Sequence, residues 1–179
     1  MRAVVQRVLS ASVTVNSEIV SEISRGLMVL VGIGVDDNAA DVENLAKKIL
    51  SLKVFSNSSG DMWKANVKDI QGEILCVSQF TLMANTSKGN KPDFHRAMPA
   101  GQSQATYASF LQFMGTQYSP GKIKDGKFGA MMNVSLTNEG PVTFTLDSRK
   151  FEYITPPIPT QAVAQSSGGL IRSPDETSK

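Results

Sequence analysis

The sequence predicts an α+β domain of mainly antiparallel sheet, either barrel-like or built as two sheets, with two principal helices packed on it. Three observations support this fold class. Apolar and polar residues alternate with the period of a strand along residues 2–23. Only the segments at about 39–52 and 103–117 have the character of helices. Strand and helix patterns do not alternate regularly along the chain, as they would in a parallel α/β sheet.

The strands are predicted from apolar patterns separated by turn residues. Residues 2–23 give two or three strands with a hairpin at Asn16-Ser17, and the wholly apolar run after Gly26 indicates a strand covered on both faces. Three further predictions complete the sheet: a short strand in "KVFSNSSGDMW", a long central strand in "GEILCVSQFTLMA", and two final strands joined at Asn138-Glu139-Gly140-Pro141.

The two helices differ in their flanking signals and in their charge. Candidate N-cap residues precede the first helix, and its apolar residues recur at helical spacing. The second helix carries no charged residue, so we expect it to be mostly covered, for example by a partner subunit. Residues 85–101 between the strands and this helix are predicted to be a loop. The cap candidates are Asp36, Asp37 and Asn38, and the periodic residues are Val42, Leu45, Ile49 and Leu52.

Length and composition fit one domain followed by a tail. The chain has 179 residues, of which 41% are hydrophobic and 19% charged, as in an ordinary globular protein. Residues 1–150 are predicted to form the domain. Residues 156–179 contain four prolines and few apolar side chains, so the segment 151–179 is predicted to be a disordered C-terminal tail.

Cysteine and histidine usage limits the classes of site and compartment. The single cysteine, Cys76, excludes a disulfide within the chain and favours a reducing compartment, so a cytoplasmic protein is expected. The N-terminal segment lacks the uninterrupted apolar core of a signal peptide, and no run approaches the roughly 20 apolar residues of a membrane span. With only one histidine, a histidine–cysteine metal site within one chain is excluded, and no metal or cofactor is predicted.

Cys76 and His95 are the two side chains with the most reactive chemistry. Cys76 could be a nucleophile, but its apolar neighbours favour an inert buried thiol. His95 lies in a basic loop, where it could act as a general base, contact a phosphate or simply be solvated.

Basic charge is concentrated in two loops, although the net charge of the chain is only +2. Such clustering is typical of a surface that follows a phosphate backbone, and it is equally compatible with solvated loops. Between residues 88 and 127 only Asp93 and Asp125 oppose six basic residues, which are Lys88, Lys91, Arg96, Lys122, Lys124 and Lys127.

Two short motifs remain after this survey. In "LCVSQFTL" an apolar strand changes character at Ser78, Gln79 and Thr81, which marks either emergence into solvent or arrival at a site. In "NEGPVT" the Gly140-Pro141 pair forms either an ordinary turn or a cis bond, which costs only about 0.5–1 kcal/mol before proline and can point carbonyls in a fixed direction.

Together these motifs resemble those of D-aminoacyl-tRNA deacylases of the bacterial and eukaryotic type. The resemblance extends to the opening "MRAVVQRVLSASVTV" and to "GKFGAMMNVSL", and it covers about residues 1–148 in order. The segments "GNKPDFHRAMP" and "IKDGKFGA" are most similar to those of eukaryotic members. The tail lies outside the resemblance.

The resemblance implies a homodimeric enzyme that hydrolyses the ester joining a D-amino acid to the 3′-terminal adenosine of tRNA. It also implies activity on glycine mischarged on tRNA. The Gly140-Pro141 bond is then expected to be cis and to reach into the partner's pocket, where it leaves no room for an L side chain. The implied ester-facing residues are Ser78, Gln79, Phe80 and Thr81; the implied substrate-binding or supporting residues are Gly140, Pro141, Asn138, Arg7, Phe128 and Met132.

The absence of an obvious catalytic triad favours main-chain chemistry. A backbone N–H in an oxyanion hole is worth about 2.7–4 kcal/mol, and the N–H groups of Phe80 and Thr81 are the expected donors. The 2′-hydroxyl of the terminal ribose is expected to assist, since no base is visible to activate the Thr81 hydroxyl. Two alternatives remain open: a nucleic-acid-binding protein with a vestigial pocket, and an esterase for free amino-acid or small acyl esters.

Overall fold

The computed structural model describes residues 1–87 and 89–149. Lys88 and the predicted tail lie outside the described residues. The predicted single α+β domain is confirmed. Its strands are β1 (Arg2–Val15), β2 (Glu18–Ile23), β3 (Gly26–Gly32), β4 (Glu73–Ser78), β5 (Ile123–Asp125) and β6 (Asn133–Asp147); its helices are α1 (Ala39–Ser51) and α2 (Ala100–Gln117), and two short 3₁₀ turns cover Phe80–Met83 and Pro120–Lys122.

The long strand β1 organises the sheet. One edge of β1 pairs antiparallel first with β3 and then, farther along, with β2. Strand β6 pairs antiparallel with β1 along nearly the whole length of β1. On the far side of β3, strands β4 and β5 are added in parallel. Because β2 also contacts β4 and β5, the sheet curls toward a barrel. The fold is therefore the barrel-like form of the prediction, mainly antiparallel with a parallel edge.

Two apolar clusters fill the two faces of this sheet. The larger cluster lies between the sheet and the helices and includes Val29 and Ile49. The smaller cluster is on the opposite face and includes Met28 and Val77. Neighbouring residues of β3 thus enter different clusters, which confirms the predicted strand covered on both faces. Within the described part of the chain, no helix has the length and apolar character needed to cross a membrane.

The first helix begins where the cap residues predict. The Asn38 side chain accepts a hydrogen bond from the Ala40 N–H, and the Asp41 carboxylate accepts one from the Asn38 N–H, so the two form a reciprocal capping box. The second helix begins at Ala100, three residues before the predicted position. It buries Tyr107 and Phe110 and leaves its other face exposed within the chain.

Four predicted strands differ from the observed ones. The segment after Lys53 forms no strand, only an isolated bridge between Phe55 and Ala65. Strand β4 ends at Ser78, because the chain turns there into a 3₁₀ helix. The two predicted final strands are one strand, β6, because both halves pair with β1 instead of with each other.

The predicted junction in β6 is a bulge and not a chain reversal. Gln6 of β1 pairs with Thr143, and Val8 pairs with Asn138. The four residues 139–142 therefore stand opposite the single residue Arg7. A bulge adds residues to one strand without reversing its direction, so Gly140 and Pro141 protrude from a sheet that continues on both sides of them.

Candidate functional site

A mostly apolar cavity of about 610 Å³ opens at the carboxyl ends of β3 and β4. Its size and its apolar lining with a few polar groups are those of a small-molecule site. Four segments contribute: Val31 and Ile33 at the end of β3 and just beyond it; Val77 to Phe80 at the end of β4 and just beyond it; Ala97, Met98, Ala100 and Ser103 before and within α2; and Phe128 to Met132 with Val134 before and within β6.

The floor of the cavity is formed where β4 leaves the sheet. The Gln79 N–H still donates to the Val31 carbonyl at 2.7 Å, and the next residues enter the 3₁₀ turn. Glycine at position 32 makes this possible, since a Cβ there would lie 2.8 Å from the Leu82 Cβ and 3.1 Å from the Gln79 carbonyl oxygen. The strand thus ends in a turn packed tightly on β3, and the polar residues of "SQFTL" line the turn.

Phe80 and Thr81 are the first two residues of this 3₁₀ turn. In the described residues no backbone carbonyl accepts a hydrogen bond from either N–H, as is expected for the first residues of a helical turn. The Thr81 hydroxyl accepts a hydrogen bond from the Gln79 side-chain amide. No carboxylate or imidazole of the described residues contacts that hydroxyl, so no base is present to activate it.

The opposite wall is the segment between β5 and β6, and it contains the predicted residues Phe128 and Met132. The Lys127 N–H donates to the Met132 sulfur at 3.3 Å, and the Gly126 N–H donates to the Cys76 carbonyl at 3.1 Å. A Cβ on residue 126 would lie 2.8 Å from the Met132 sulfur, so glycine is needed there for Met132 to reach its place. Phe128 packs against Tyr107 of α2 with ring centroids 5.8 Å apart.

The rim of the cavity comes from the loop before α2. Phe94 meets Phe80 edge to face with centroids 5.0 Å apart. The Met98 N–H donates to the Ile33 carbonyl at 2.9 Å, which ties the loop to the end of β3. Sequence reasoning missed Phe94, Met98 and the exposed Met131 as site residues. Phe94 and Met98 could have been found in the sequence, because they are apolar residues inside a basic loop that contains glycine and proline.

The remaining predicted residues form a second group, which does not line this cavity. The Gly140-Pro141 bond is cis, and both residues are exposed at the tip of the β6 bulge. Below the tip, Arg7 donates from Nε to the Glu139 carbonyl at 3.2 Å and from Nη1 to the Val54 carbonyl at 2.5 Å. Asn138 accepts from the Val142 N–H at 2.9 Å. Within one chain, the predicted site residues are thus divided between a cavity and a protrusion.

Comparison with known proteins identifies the family. Residues 4–147 match the family model described as D-Tyr-tRNA(Tyr) deacylase. The chain belongs to this family. The D-aminoacyl-tRNA deacylase of Saccharomyces cerevisiae is 52% identical over 148 residues, which cover 83% of this chain and 99% of the yeast protein. D-aminoacyl-tRNA deacylase 1 of Homo sapiens is 54% identical over 148 residues, covering 83% of this chain and 70% of the human protein.

One solved structure supports the same assignment at the level of fold. The c-Myc DNA Unwinding Element Binding Protein superposes with a TM-score of 0.80 at 54% identity, over 82% of this chain and 98% of that chain. The predicted deacylase family and its enzyme class, an ester hydrolase, are therefore confirmed.

The predicted basic residues of this deacylase family member lie at different distances from the cavity. Arg96 and Lys127 are exposed and directly adjoin cavity-lining residues in sequence, and Lys91 is exposed farther along the same loop. Lys122 and Lys124 are half-buried, and Lys124 pairs with Leu75, three residues or roughly 10 Å before Ser78. Lys88 lies outside the described residues.

Cys76 and His95 take no part in the cavity lining. Cys76 is fully buried, and burial raises the pKa of its thiol far above the ordinary value, with Asp125 adding to the shift. Such a thiol is inert, as its apolar neighbours predict. His95 is exposed, and its Nδ1 contacts the Asp93 carboxylate in the rim loop.

Proposed function

We propose that this protein hydrolyses the ester bond of D-aminoacyl-tRNA and of glycine mischarged on tRNA, for example Gly-tRNA(Ala), releasing the free amino acid and tRNA. The observation that carries the proposal is the pair of N–H donors of Phe80 and Thr81, which have no backbone acceptor among the described residues, beside a cavity of about 610 Å³. Family membership supports the reaction class.

The chemistry proposed is main-chain stabilisation of the oxyanion. An aminoacyl ester is already activated, so donors aimed at the developing charge and a positioned water can suffice. The 2′-hydroxyl of the terminal ribose is proposed to assist. Support comes from the Thr81 hydroxyl, whose one described partner is the Gln79 amide, a donor and not a base. Ser78 and Gln79 are proposed to line the ester, with Phe128 and Met132 opposite them.

The chirality filter is proposed to be Gly140-Pro141 supplied by a second subunit. Both residues lie at an exposed tip, and neither lines the cavity of its own chain. A rigid backbone tip excludes a side chain sterically, whereas an apolar pocket discriminates a methylene group by only about 1–3 kcal/mol. The proposed enzyme is therefore a homodimer that rejects L residues and tolerates glycine, with Arg7 and Asn138 holding the tip.

The tRNA is proposed to approach over the basic residues beside the cavity. Arg96, Lys127 and Lys91 are exposed and can meet phosphates close to the ester. Lys88, Lys122 and Lys124 are proposed to extend this contact along the acceptor end. Residues 1–150 are proposed to form the deacylase domain, acting in the cytoplasm.

A second candidate is a nucleic-acid-binding protein with a vestigial pocket. It is favoured by one relative, whose name describes binding to a DNA unwinding element. The two candidates differ in whether the ester is cleaved.

Single-turnover deacylation at micromolar enzyme tests the proposal. D-Tyr-tRNA and Gly-tRNA(Ala) should lose their ester, whereas L-Tyr-tRNA should not. Binding without ester loss would support the vestigial pocket, and turnover of a D-tyrosine ester without tRNA would support a small-ester esterase. In the deacylase reading KM rises steeply with salt, as expected when basic residues meet phosphates.

Mixing two inactive variants tests the shared site. One carries Phe80→Pro in the floor, which removes a proposed N–H donor at the first position of the 3₁₀ turn. The other carries Gly140→Ala in the tip, where a Cβ would lie 3.1 Å from the Arg7 guanidinium nitrogen Nη2. Random reassortment into dimers leaves about a quarter of the sites fully wild type. Recovery of that fraction of activity is expected, and no recovery would contradict a site shared between subunits.

A further inference from the structure

Glu139, the first residue of the β6 bulge, is held by two arginines. Arg7 donates from Nε to its carbonyl at 3.2 Å, and the same nitrogen lies 3.3 Å from its carboxylate. Arg25 donates from Nη2 to one carboxylate oxygen at 3.0 Å and from Nε to the other at 3.3 Å. The second contact is bidentate, the geometry in which arginine fixes a carboxylate in direction as well as distance.

Arg25 is itself fixed in the turn between β2 and β3. Its guanidinium carbon lies 5.5 Å from the centre of the Phe55 ring, within the range of a cation–π contact. Its carbonyl accepts a hydrogen bond from the Glu73 N–H at 3.3 Å. The next residue, Gly26, is buried between β1 and β4. Arg25 therefore connects Glu139 to a part of the sheet that belongs neither to β6 nor to the cavity.

The three charged side chains differ in burial, and the most buried of them, Arg7, relies on the Glu139 carboxylate to balance its charge. The side chain of Arg7 is 10% exposed, that of Glu139 24% and that of Arg25 50%. Without the Glu139 carboxylate, the nearly buried Arg7 guanidinium would keep only carbonyl oxygens as partners. Removing one member of such a pair leaves a poorly compensated charge, which favours rearrangement of the groups around it.

A separate set of hydrogen bonds joins the two ends of the bulge to each other. Asn138 accepts from the Val142 N–H at 2.9 Å and donates to the Thr143 hydroxyl at 3.1 Å. These contacts join the two shoulders of the bulge, but they do not attach it to the rest of the domain. Pairing with β1 holds both ends of the bulge, at Asn138 and Thr143. Inside the bulge, side-chain attachment to the rest of the domain comes from Glu139 and its two arginines.

We propose that Arg25, acting through Glu139, is a positioning residue that fixes the direction of the Gly140-Pro141 tip and thereby sets the stringency of D over L discrimination. This inference rests on the proposed role of the tip as chirality filter. Arg25 touches neither the cavity nor the tip, so its effect on selectivity is transmitted through the Glu139 carboxylate.

The experiment compares Arg25→Gln, Glu139→Gln and Arg25→Lys with the wild type. Arg25→Lys keeps the positive charge but cannot make the bidentate contact with the Glu139 carboxylate. Its loss of selectivity should therefore lie between those of the wild type and Arg25→Gln. The matched control is Glu43→Gln, which breaks the exposed 2.8 Å ion pair with Lys47 on α1. Initial rates on D-Tyr-tRNA, L-Tyr-tRNA and Gly-tRNA give the selectivity ratio, and melting temperatures report folding.

The D-to-L ratio should fall by about tenfold in Arg25→Gln and Glu139→Gln, the scale of a lost charge-assisted hydrogen bond, and remain unchanged in the control. A purely structural role would lower both rates together and leave the ratio unchanged, which would overturn the inference. The double variant should be no worse than Glu139→Gln alone, because that substitution already removes the ion pair with Arg25.

Hydrogen–deuterium exchange supplies a readout that does not depend on activity. The peptide containing residues 138–143 should exchange faster in Arg25→Gln than in the wild type, whereas the β3 peptide 26–32 should not. If the wild type failed to discriminate D from L, the proposed filter would be wrong, while exchange would still test whether Arg25 and Glu139 hold the tip. Unchanged exchange in residues 138–143 would overturn that positioning role.

Discussion

Tyr107 of α2 donates a 2.6 Å hydrogen bond to the carboxylate of Asp125, the last residue of β5. This contact fixes the helix to the strand at the point where the cavity wall begins. Asp125 is partly buried, and that burial raises the pKa of its carboxyl above the ordinary 3.8, against the opposing effect of the Tyr107 and Gly126 donors.

The raised pKa makes Asp125 a source of pH-dependent stability. The folded state holds the Asp125 proton more tightly than the unfolded state, so its contribution is full below about pH 3.9 and is lost as pH rises through the folded pKa. Asp125→Asn removes this dependence and keeps an oxygen to accept the Tyr107 hydroxyl. The wild-type free energy of unfolding should therefore fall relative to that of Asp125→Asn as the pH rises above about 4. Urea titrations at a series of pH values measure the difference between the two proteins, and a wild-type free energy that rises relative to that of Asp125→Asn would contradict the assignment.

Thr81→Ala should retain most deacylase activity. The hydroxyl accepts from the Gln79 amide and has no base beside it among the described residues, whereas the substitution leaves the backbone N–H in place. Single-turnover rates on D-Tyr-tRNA measure the effect. A loss of more than about a hundredfold, equivalent to roughly 2.7 kcal/mol, would favour a nucleophilic hydroxyl instead.

Cys76 should be unreactive in the folded protein and dispensable for catalysis. Its burial and raised pKa keep it a thiol at neutral pH. Mass spectrometry after iodoacetamide treatment should show no adduct without denaturant and one adduct in urea. Cys76→Ala should keep kcat/KM within a few-fold of wild type; rapid labelling of the native protein coupled to inactivation is the contrary result.

Gly26→Ala should be strongly destabilising. A Cβ at this position would lie 1.9 Å from the Glu73 carbonyl oxygen, so β3 and β4 would have to separate where their parallel pairing begins. We expect a loss of about 3 kcal/mol or more in the free energy of unfolding, the upper range for overpacking. Gly101→Ala in α2 is the control, since nothing lies within 4 Å of its Cβ and alanine favours a helix. Equal urea midpoints for the two variants would contradict this account.

The sequence predicted the elements whose signals are local. The N-cap of α1 among the candidates Asp36 to Asn38, the hairpin at Asn16-Ser17 and the buried strand after Gly26 each depend on neighbouring residues, and each is observed. The extent of β4 could not be predicted from its apolar pattern. Its end depends on contact between the turn at Gln79 and Gly32 on another strand.

The motifs "SQFTL" and "NEGPVT" were also recognised from neighbouring residues. Their positions in the fold could not be predicted in that way. Asn, Gly and Pro together usually signal a chain reversal, yet here both flanks of Gly140-Pro141 pair with β1. Which strand a segment pairs with is decided by distant residues. The roles of Phe94, Met98 and Arg25 likewise depend on contacts between segments far apart in the chain.

The bulge in β6 also bears on how selectivity could be changed by design or by evolution. Between the pairs Gln6–Thr143 and Val8–Asn138, β1 advances two residues while β6 advances five. If three residues were deleted from the loop, both strands would advance two residues between these pairs. Every later side chain would then stay on its present face of the sheet. The protrusion is therefore an insertion that the barrel does not need, and loops of other lengths or sequences could be exchanged there while the scaffold is retained.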